Sequence, residues 1–185
     1  MEPMHILFVC TGNISRSAMA EILAPHIFKD PGLKFSSAGT HGLHGYAISR
    51  EAEQLLRRNH IDQRTIDVFR SRRLPPVIAS KADLILCFEQ HQRAHIVVES
   101  PLKARWTFTL NDFANLCETA KERRLIEGES TEERLLSVAD GAPGLRLAVP
   151  EPSDIADPQG KDMQAYITAH NETVRALKRI VAAVA

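Results

Sequence analysis

The chain has 185 residues, of which 44% are hydrophobic and 25% are charged, close to the averages of globular domains. This length is ordinary for one domain with its own core, so we expect a single domain over residues 1–185. The 23 basic and 23 acidic residues give a formal net charge of zero. Composition therefore provides no electrostatic case for a nucleic-acid or membrane partner.

The cysteines and the N-terminal sequence indicate a cytoplasmic protein. The first apolar run ends at Cys10 and follows no charged leader, so we expect neither a secretory signal nor a membrane span. The three cysteines, Cys10, Cys87 and Cys117, are odd in number and widely spaced. That pattern argues against a disulfide framework and fits a reducing compartment.

The first ninety residues alternate between strand and helix patterns, which predicts an α/β fold with a parallel sheet covered by helices on both faces. Ligands of such sheets bind at the carboxyl ends of strands. Cys10 ends the first predicted strand. The predicted strands cover residues 5–9, 34–38, 83–88 and 105–108, and the predicted helices begin at Ser17 or cover residues 48–60 and 90–99.

The second part of the chain is mostly helical. Helices are predicted over residues 110–126 and 131–138, and the sequence Asp-Gly-Ala-Pro-Gly at 140–144 is expected to end the second one. We interpret the segment 109–149 as an extra helical pair that covers one edge of the sheet. A loop follows it, and residues 162–184 form a long final helix.

The stretch between the first strand and the first helix carries the main functional pattern. Residues 10–17, here called the cradle, read C-T-G-N-I-S-R-S. A strand, a tight loop and a helix start direct backbone N–H groups and the positive end of the helix dipole at one anion. A cysteine there has a lowered pKa and reacts as a thiolate, while Arg16 offers a planar fork for phosphate oxygens. A cysteine that ends a buried strand is often only a core residue, but Gly12 and Asn13 at the turn favour a nucleophile in an oxyanion site.

A carboxylic acid before the final helix completes this chemistry. A thiolate that attacks phosphorus forms a phosphocysteine, and the leaving oxygen needs a proton, which a loop carboxylic acid supplies before acting as base toward water. Asp157 is the candidate, in the sequence D-I-A-D-P at 154–158. An Asp-Pro pair is also a common turn signal, so this residue alone would be interpreted as a turn.

Taken together, the two motifs resemble those of the low-molecular-weight protein tyrosine phosphatases. Residues 6–21 match the family's C-x5-R-S loop and the helix after it, and residues 154–158 match its Asp-Pro pair before the C-terminal helix. Residues 37–40, 71–74 and 83–86 also match in order, and the weakest stretch is 109–149. The resemblance implies a four-stranded parallel sheet flanked by helices and a phosphatase acting on phosphorylated proteins, chiefly on phosphotyrosine.

The resemblance also assigns roles to individual residues. It makes Cys10 the nucleophile, Arg16 the ligand of the phosphoryl oxygens and Asp157 the general acid. Asn13 would hold the loop in shape with Ser37 as its hydrogen-bond partner. Fixed dipoles and the arginine replace a metal, so neither a metal nor a cofactor is implied. The implied phosphate-binding residues are Thr11, Gly12, Asn13, Ile14, Ser15, Arg16 and Ser17, of which Ser17 also donates to the sulfur.

Three positions depart from the family pattern. Ser15 stands where many members have a second cysteine that traps the nucleophile as a disulfide, so oxidation of Cys10 can proceed further. Phe69 stands where a histidine often supports the loop, so the loop must be held differently. Gln159 follows the Asp-Pro pair, where tyrosine-specific members place aromatic residues that wall the substrate slot. The opposite wall is predicted to consist of Leu43, His44 and Tyr46.

Other functions stay open from the sequence. Members of an arginine phosphatase branch carry threonine at the position of Thr11, as do some tyrosine phosphatases. Arsenate reductases use the same loop and often relay electrons through two more cysteines, but Cys87 and Cys117 are interpreted as core residues, so reduction would need an external thiol. A phosphate-binding scaffold without turnover is disfavoured by the intact nucleophile, arginine and acid. The sequence leaves the oligomeric state open.

Overall fold

The computed structural model describes residues 2–185, and a parallel four-stranded sheet lies at its centre. The strands are β1 (Met4–Cys10), β2 (Leu33–Gly39), β3 (Leu84–Cys87) and β4 (Thr107–Thr109), and they lie side by side in the order β2-β1-β3-β4. The helices are α1 (Arg16–Phe28), α2 (Arg50–Arg58), α3 (Gln63–Val68), α4 (Pro76–Lys81), α5 (Gln90–Glu99), α6 (Leu110–Glu122), α7 (Thr131–Leu145) and α8 (Met163–Val184). The predicted four-stranded parallel sheet flanked by helices is confirmed.

The sheet is buried on both faces because alternate residues of its strands point into different layers. In β1, Ile6 and Phe8 belong to the larger core cluster, which includes side chains of α1, α6, α7 and α8. Leu7 and Val9 belong to a second cluster on the other face, together with Ile96 of α5. The continuous apolar run that predicted β1 therefore reflects two cores rather than one.

The long final helix α8 packs against α1 and α6 on one face of the sheet. The Asp162 carboxylate accepts a hydrogen bond from the Ala165 N–H at 3.0 Å and caps the start of α8. Its buried residues include Tyr166, Leu177 and Ile180, as the predicted apolar stripe requires. Across residues 2–185, every helix lacks the length or the apolar character needed to cross a membrane.

One helix prediction is wrong. α7 does not end at the Asp-Gly-Ala-Pro-Gly sequence but continues through it to Leu145. Each glycine costs about 1 kcal/mol of helix stability and an interior proline about 3 kcal/mol, and Pro143 removes one main-chain N–H donor from α7. Burial of Ala142 and Leu145 continues the apolar stripe of Leu135 and Val138, and it outweighs these costs.

Smaller differences concern the region around β4. Arg105, predicted as the first residue of this strand, lies instead in a short 3₁₀ helix over Pro101–Trp106, where its guanidinium stacks on the Trp106 ring at 4.7 Å. The strand therefore begins at Thr107. The six-residue helices α3 and α4 were not predicted, because such short segments show too little periodicity.

Candidate active site

The cradle brings its sulfur to the carboxyl end of the central strand. Cys10 is the last residue of β1 and Arg16 the first residue of α1, so the loop between them lies at the N-terminus of a helix. The Cys10 Sγ lies 2.9 Å from the Ser17 Oγ and accepts a hydrogen bond from the Asn13 N–H at 3.3 Å. The sulfur thus has a main-chain N–H donor and a hydroxyl group within hydrogen-bond distance at the start of α1.

Asn13 holds the loop in a conformation that most side chains avoid. Its φ is 58°, in the left-handed region. The side-chain amide donates to the Ser17 Oγ at 2.9 Å and to the Ser37 Oγ at 2.7 Å, and its oxygen accepts from the Arg72 N–H at 2.9 Å. The buried Asn13 side chain thereby links the cradle to β2 and to the segment after α3.

The support network ends on a carboxylate rather than on a histidine. The Ser37 Oγ donates to the Glu21 Oε2 at 2.5 Å, while Phe69 packs into the apolar cluster around α2. Burial raises the pKa of the Glu21 carboxyl, although the hydrogen bond from Ser37 and the charge of Arg72 oppose that effect. The sequence analysis missed Glu21. A charged residue among the apolar side chains of α1 was the available signal.

Arg16 is the most strongly held cation of the site. Its side chain is 1% exposed, and its Nη1 donates to the Glu89 Oε2 at 2.6 Å and to the Ile155 carbonyl at 2.7 Å. The Nη2 lies 3.0 Å from the Asp157 Oδ2. The Nε is buried and has no partner among residues 2–185. An unpaired buried donor costs about 1–3 kcal/mol, so this N–H is available to an acceptor that enters the cradle.

Glu89 was also missed by sequence reasoning. It follows β3 by two residues, and the carboxyl end of a central parallel strand is a place where functional side chains are expected. It is the N-cap residue of α5 and forms a capping box with Gln92. The Gln92 side chain in turn donates to the Thr11 Oγ1 at 3.1 Å, which ties α5 to the cradle.

The structure brings Asp157 to the cradle and leaves Asp154 outside it. The segment 150–162, here called the acid loop, carries both carboxylates. Asp157 is 41% exposed, and its Oδ1 accepts from the Gln159 N–H at 3.1 Å. The Asp154 Oδ1 accepts instead from the Gln90 N–H at 2.9 Å, at the start of α5. Of the two carboxylates, only that of Asp157 faces the reactive sulfur across a cavity.

This cavity has a volume of about 140 Å³. A space of that size suits a small anion better than a whole side chain. Among residues 2–185, no group of three His, Cys, Asp or Glu side chains is arranged to hold a metal. The cavity is lined by Cys10, Thr11, Gly12, Asn13, Ile14, Ser15, Arg16, Asp157 and Gln159.

The residues predicted as the opposite substrate wall do not line this cavity. Leu43 and Tyr46 are more than half exposed, and His44 lines a separate groove with Arg73 and His95. The reason is local, because after the His41 N–H bonds the Thr11 carbonyl the segment 40–46 bonds to Ser71, through the Leu43 carbonyl and the N–H groups of Gly45 and Tyr46. Their contact with a substrate that extends beyond the cavity stays a prediction.

The other two thiols lie in the core, as predicted. Cys87 and Cys117 are fully buried and unpaired by disulfides. Burial raises the pKa of both thiols far above the usual range. The Cys87 Sγ donates to the Phe108 carbonyl at 3.2 Å. Cys10 is therefore the one cysteine of the chain placed for chemistry.

A sulfur, a loop of N–H groups, a buried guanidinium and a carboxyl group therefore line one small cavity at the end of a parallel sheet, which suits a small oxyanion. Residues 5–125 match the family model of the low molecular weight phosphotyrosine protein phosphatases, and the chain belongs to this family. It is accordingly a cysteine-based phosphatase.

Relatives and solved structures agree with this assignment. The chain is 36% identical over 110 residues to the low molecular weight protein-tyrosine-phosphatase Ptp of Acinetobacter johnsonii, covering 60% of this chain and 74% of that protein. It is similar to the structure of the YwlE arginine phosphatase from Geobacillus stearothermophilus, with 27% identity, a TM-score of 0.71 and coverage of 97% and 92% of the two chains. The tyrosine phosphatase Wzb from Escherichia coli K30 in complex with sulphate shares the fold, with 20% identity, a TM-score of 0.70 and 96% coverage of both chains.

Proposed function

We propose that this phosphatase hydrolyses phosphate monoesters on proteins through a phosphocysteine, with Cys10, Arg16 and Asp157 as its catalytic residues. The observation that carries the proposal is the buried Arg16 guanidinium, which lines the same cavity as Cys10 and has one N–H without a partner among residues 2–185. A fixed, buried cation with a free donor matches the charge of a phosphoryl group, and such preorganised donors stabilise the transition state.

In the first step the Cys10 thiolate attacks phosphorus, so that an S–P bond forms while the P–O bond to the leaving group breaks. The electron pair of that bond goes to the leaving oxygen, and Asp157 gives this oxygen its proton. The backbone N–H groups of the cradle and the Arg16 fork hold the three non-reacting oxygens. This step consumes one proton from Asp157 and leaves its carboxylate charged.

In the second step water attacks the phosphocysteine. The Asp157 carboxylate now takes a proton from the water, the new P–O bond forms, and the S–P bond breaks to return the thiolate. The Ser17 hydroxyl, 2.9 Å from the sulfur, donates to the departing thiolate. Asn13 and Ser37 act as positioning residues that keep the loop in shape. These charges and donors come from the chain itself, so the mechanism calls on neither a metal nor a cofactor.

Protein phosphotyrosine is the proposed substrate, and a phosphorylated protein the proposed partner. Support comes from the curated relatives, which are named as protein-tyrosine-phosphatases. Leu43, His44 and Tyr46 are the proposed outer contacts of the substrate chain. We further propose one catalytic unit over residues 1–185 acting in the cytoplasm, since a catalytic thiolate and three free cysteines fit a reducing compartment.

Protein arginine phosphatase activity is the second candidate. It is favoured by the likeness to the arginine phosphatase structure at 27% identity and by Thr11. Turnover of phosphoarginine and phosphotyrosine at equal concentrations separates the two. Arsenate reduction through an internal thiol relay is disfavoured, because the two remaining cysteines are buried and have raised pKa values.

Turnover of p-nitrophenyl phosphate tests the chemistry. We expect Cys10→Ser to abolish this turnover, and Asp157→Asn to lower kcat/KM for phosphotyrosine, whose leaving oxygen needs a proton, by about 10²–10⁴, the usual contribution of a general acid. Asp154→Asn is the matched control, since this carboxylate caps α5, and it should retain most of the activity. Full activity in Cys10→Ser would contradict the mechanism, and loss confined to Asp154→Asn would move the acid to the other carboxylate.

A further inference from the structure

Gln159 connects three parts of the site that are distant in sequence. Its side-chain Oε1 accepts a hydrogen bond from the Tyr166 hydroxyl of α8 at 3.1 Å. The Ser15 hydroxyl of the cradle donates to the same oxygen at 3.4 Å. Ser15 also contacts the Ser49 Oγ at 3.1 Å, next to the start of α2. We call Ser15, Gln159 and Tyr166 the Gln159 bridge.

The partners of the bridge are rigid, whereas Gln159 itself is exposed. Tyr166 is 2% exposed and lies in the apolar cluster between α1, α2 and α8. Ser15 is buried at the start of α1. Two fixed hydroxyls therefore aim at one amide oxygen on a surface loop. A phenyl group at this position has no oxygen for them, so the bridge depends on the amide.

The same residue holds the proposed acid through its main chain. The Gln159 N–H donates to the Asp157 Oδ1, while Arg16 holds the Oδ2. Pro158 between them fixes the backbone φ. A shift of the Gln159 main chain would move this N–H and release one oxygen of the carboxyl group. The hydroxyls of Ser15 and Tyr166 thus restrain Asp157 indirectly, because they hold Gln159 in place.

We propose that Gln159 is the positioning residue that sets the efficiency of proton donation by Asp157, and hence the preference of the enzyme for leaving groups. The proposal deepens the proposed function and rests on it. A phenolic leaving group such as that of tyrosine, with a pKa of about 10, needs its proton as the P–O bond breaks. The p-nitrophenolate anion is stabilised by its nitro group and leaves with little help. Displacement of Asp157 therefore harms the first class of substrate more than the second.

The test compares phosphotyrosine with p-nitrophenyl phosphate in Gln159→Leu. Leucine fills a similar volume but accepts no hydrogen bond. We expect kcat/KM for phosphotyrosine to fall about tenfold more than kcat/KM for p-nitrophenyl phosphate, a part of the usual general-acid contribution. Competitive inhibition by inorganic phosphate should persist with little change in its inhibition constant, since the cradle itself is intact.

Two further variants show whether the effect passes through the bridge. Tyr166→Phe keeps the buried ring and removes one donor, so it should reproduce part of the selective loss and add little to Gln159→Leu. Gln164→Leu is the matched control, because it makes the same change on an exposed residue of α8 that lines no cavity near the sulfur. It should behave as wild type with both substrates.

Equal losses with both substrates in Gln159→Leu would overturn the proposal and make Gln159 part of general loop structure. Additive losses of kcat/KM in the double variant Gln159→Leu with Tyr166→Phe would also overturn it, since they would mean that Tyr166 acts by another route. These outcomes differ from a failure of the proposed function, which would appear as the absence of turnover in the wild type or as its persistence in Cys10→Ser.

Discussion

The cradle and the acid loop are held in opposite ways. In the cradle the side chain of Asn13 makes three hydrogen bonds, and Arg16 is buried among partners from the start of α5 and from the acid loop. In the acid loop, Asp157 and Gln159 are partly or largely exposed and depend on a few bonds. The difference teaches that the proposed anion site is built on an element held by many buried hydrogen bonds, while the proposed proton donor lies on a segment held by few.

Replacement of the Arg16 guanidinium should impair the cradle most strongly. In Arg16→Lys we expect kcat/KM for p-nitrophenyl phosphate to fall about 10³-fold, because a point charge cannot serve the Glu89 carboxylate, the Ile155 carbonyl and a phosphoryl group together. Steady-state kinetics measure this. Arg70→Lys is the control, since that guanidinium binds main-chain carbonyls beside α3. A loss below tenfold in Arg16→Lys would show that a charge alone suffices.

Removal of the loop support should cost both stability and activity. Asn13→Ala deletes three hydrogen bonds and places alanine at a φ of 58°, for a loss of about 3 kcal/mol and a Tm lower by roughly 6–12 °C. Asn13→Gly loses the same bonds without the backbone strain, so we expect it to be about 1 kcal/mol more stable than the alanine variant. Calorimetry on the pair measures the strain. An alanine variant as stable as the glycine variant would contradict it.

The carboxylate at the end of the support network should make stability depend on pH. Because the native Glu21 carboxyl has a raised pKa, the native state holds its proton to higher pH than the unfolded chain does. That contribution is complete below the ordinary pKa of about 4.3 and is lost as pH rises through the native value. The free energy of unfolding of the wild type relative to Glu21→Gln should therefore fall as pH rises from about 4 toward neutrality.

Urea unfolding at several pH values measures this dependence, and the chain offers a control of opposite sign. A hydrogen bond from Arg179 lowers the pKa of Glu118, so its contribution is present above the ordinary pKa and lost as pH falls. The relative stability of Glu118→Gln should change in the opposite direction and by less, because the Glu118 side chain is 43% exposed. A Glu21→Gln difference that is flat with pH would refute the assignment.

The smallest effect is expected in the acid loop. Gly160 has a φ of 75° with open space around it, so Gly160→Ala costs only backbone strain, about 1 kcal/mol or a Tm lower by roughly 2–4 °C. Gly141→Ala is the matched control, since its position in α7 is helical and also open, and it should stabilise slightly. A drop in Tm for Gly160→Ala as large as that of Asn13→Ala would remove the contrast between the two regions.

What could be predicted from the sequence follows the same division. The cradle is eight consecutive residues between a strand and a helix, so local pattern was enough to place Cys10 and Arg16. Glu89 lies at the start of α5 and Glu21 further along α1, and their contacts with Arg16 and Ser37 depend on strand order and helix packing, which periodicity does not encode. The error at α7 has the same origin, because burial against the core overrode the local preference of Pro143.

The main chain of Ile155 ties the acid loop to the rest of the site by two hydrogen bonds. Ile155 is fully buried, its N–H donates to the Phe88 carbonyl at 2.9 Å, and its own carbonyl accepts from Arg16. The position of the acid loop is therefore fixed by the residue that follows β3, and does not depend on the number of residues between β4 and this loop. The connections within that segment can change in length, while these two hydrogen bonds keep the acid loop beside the cradle.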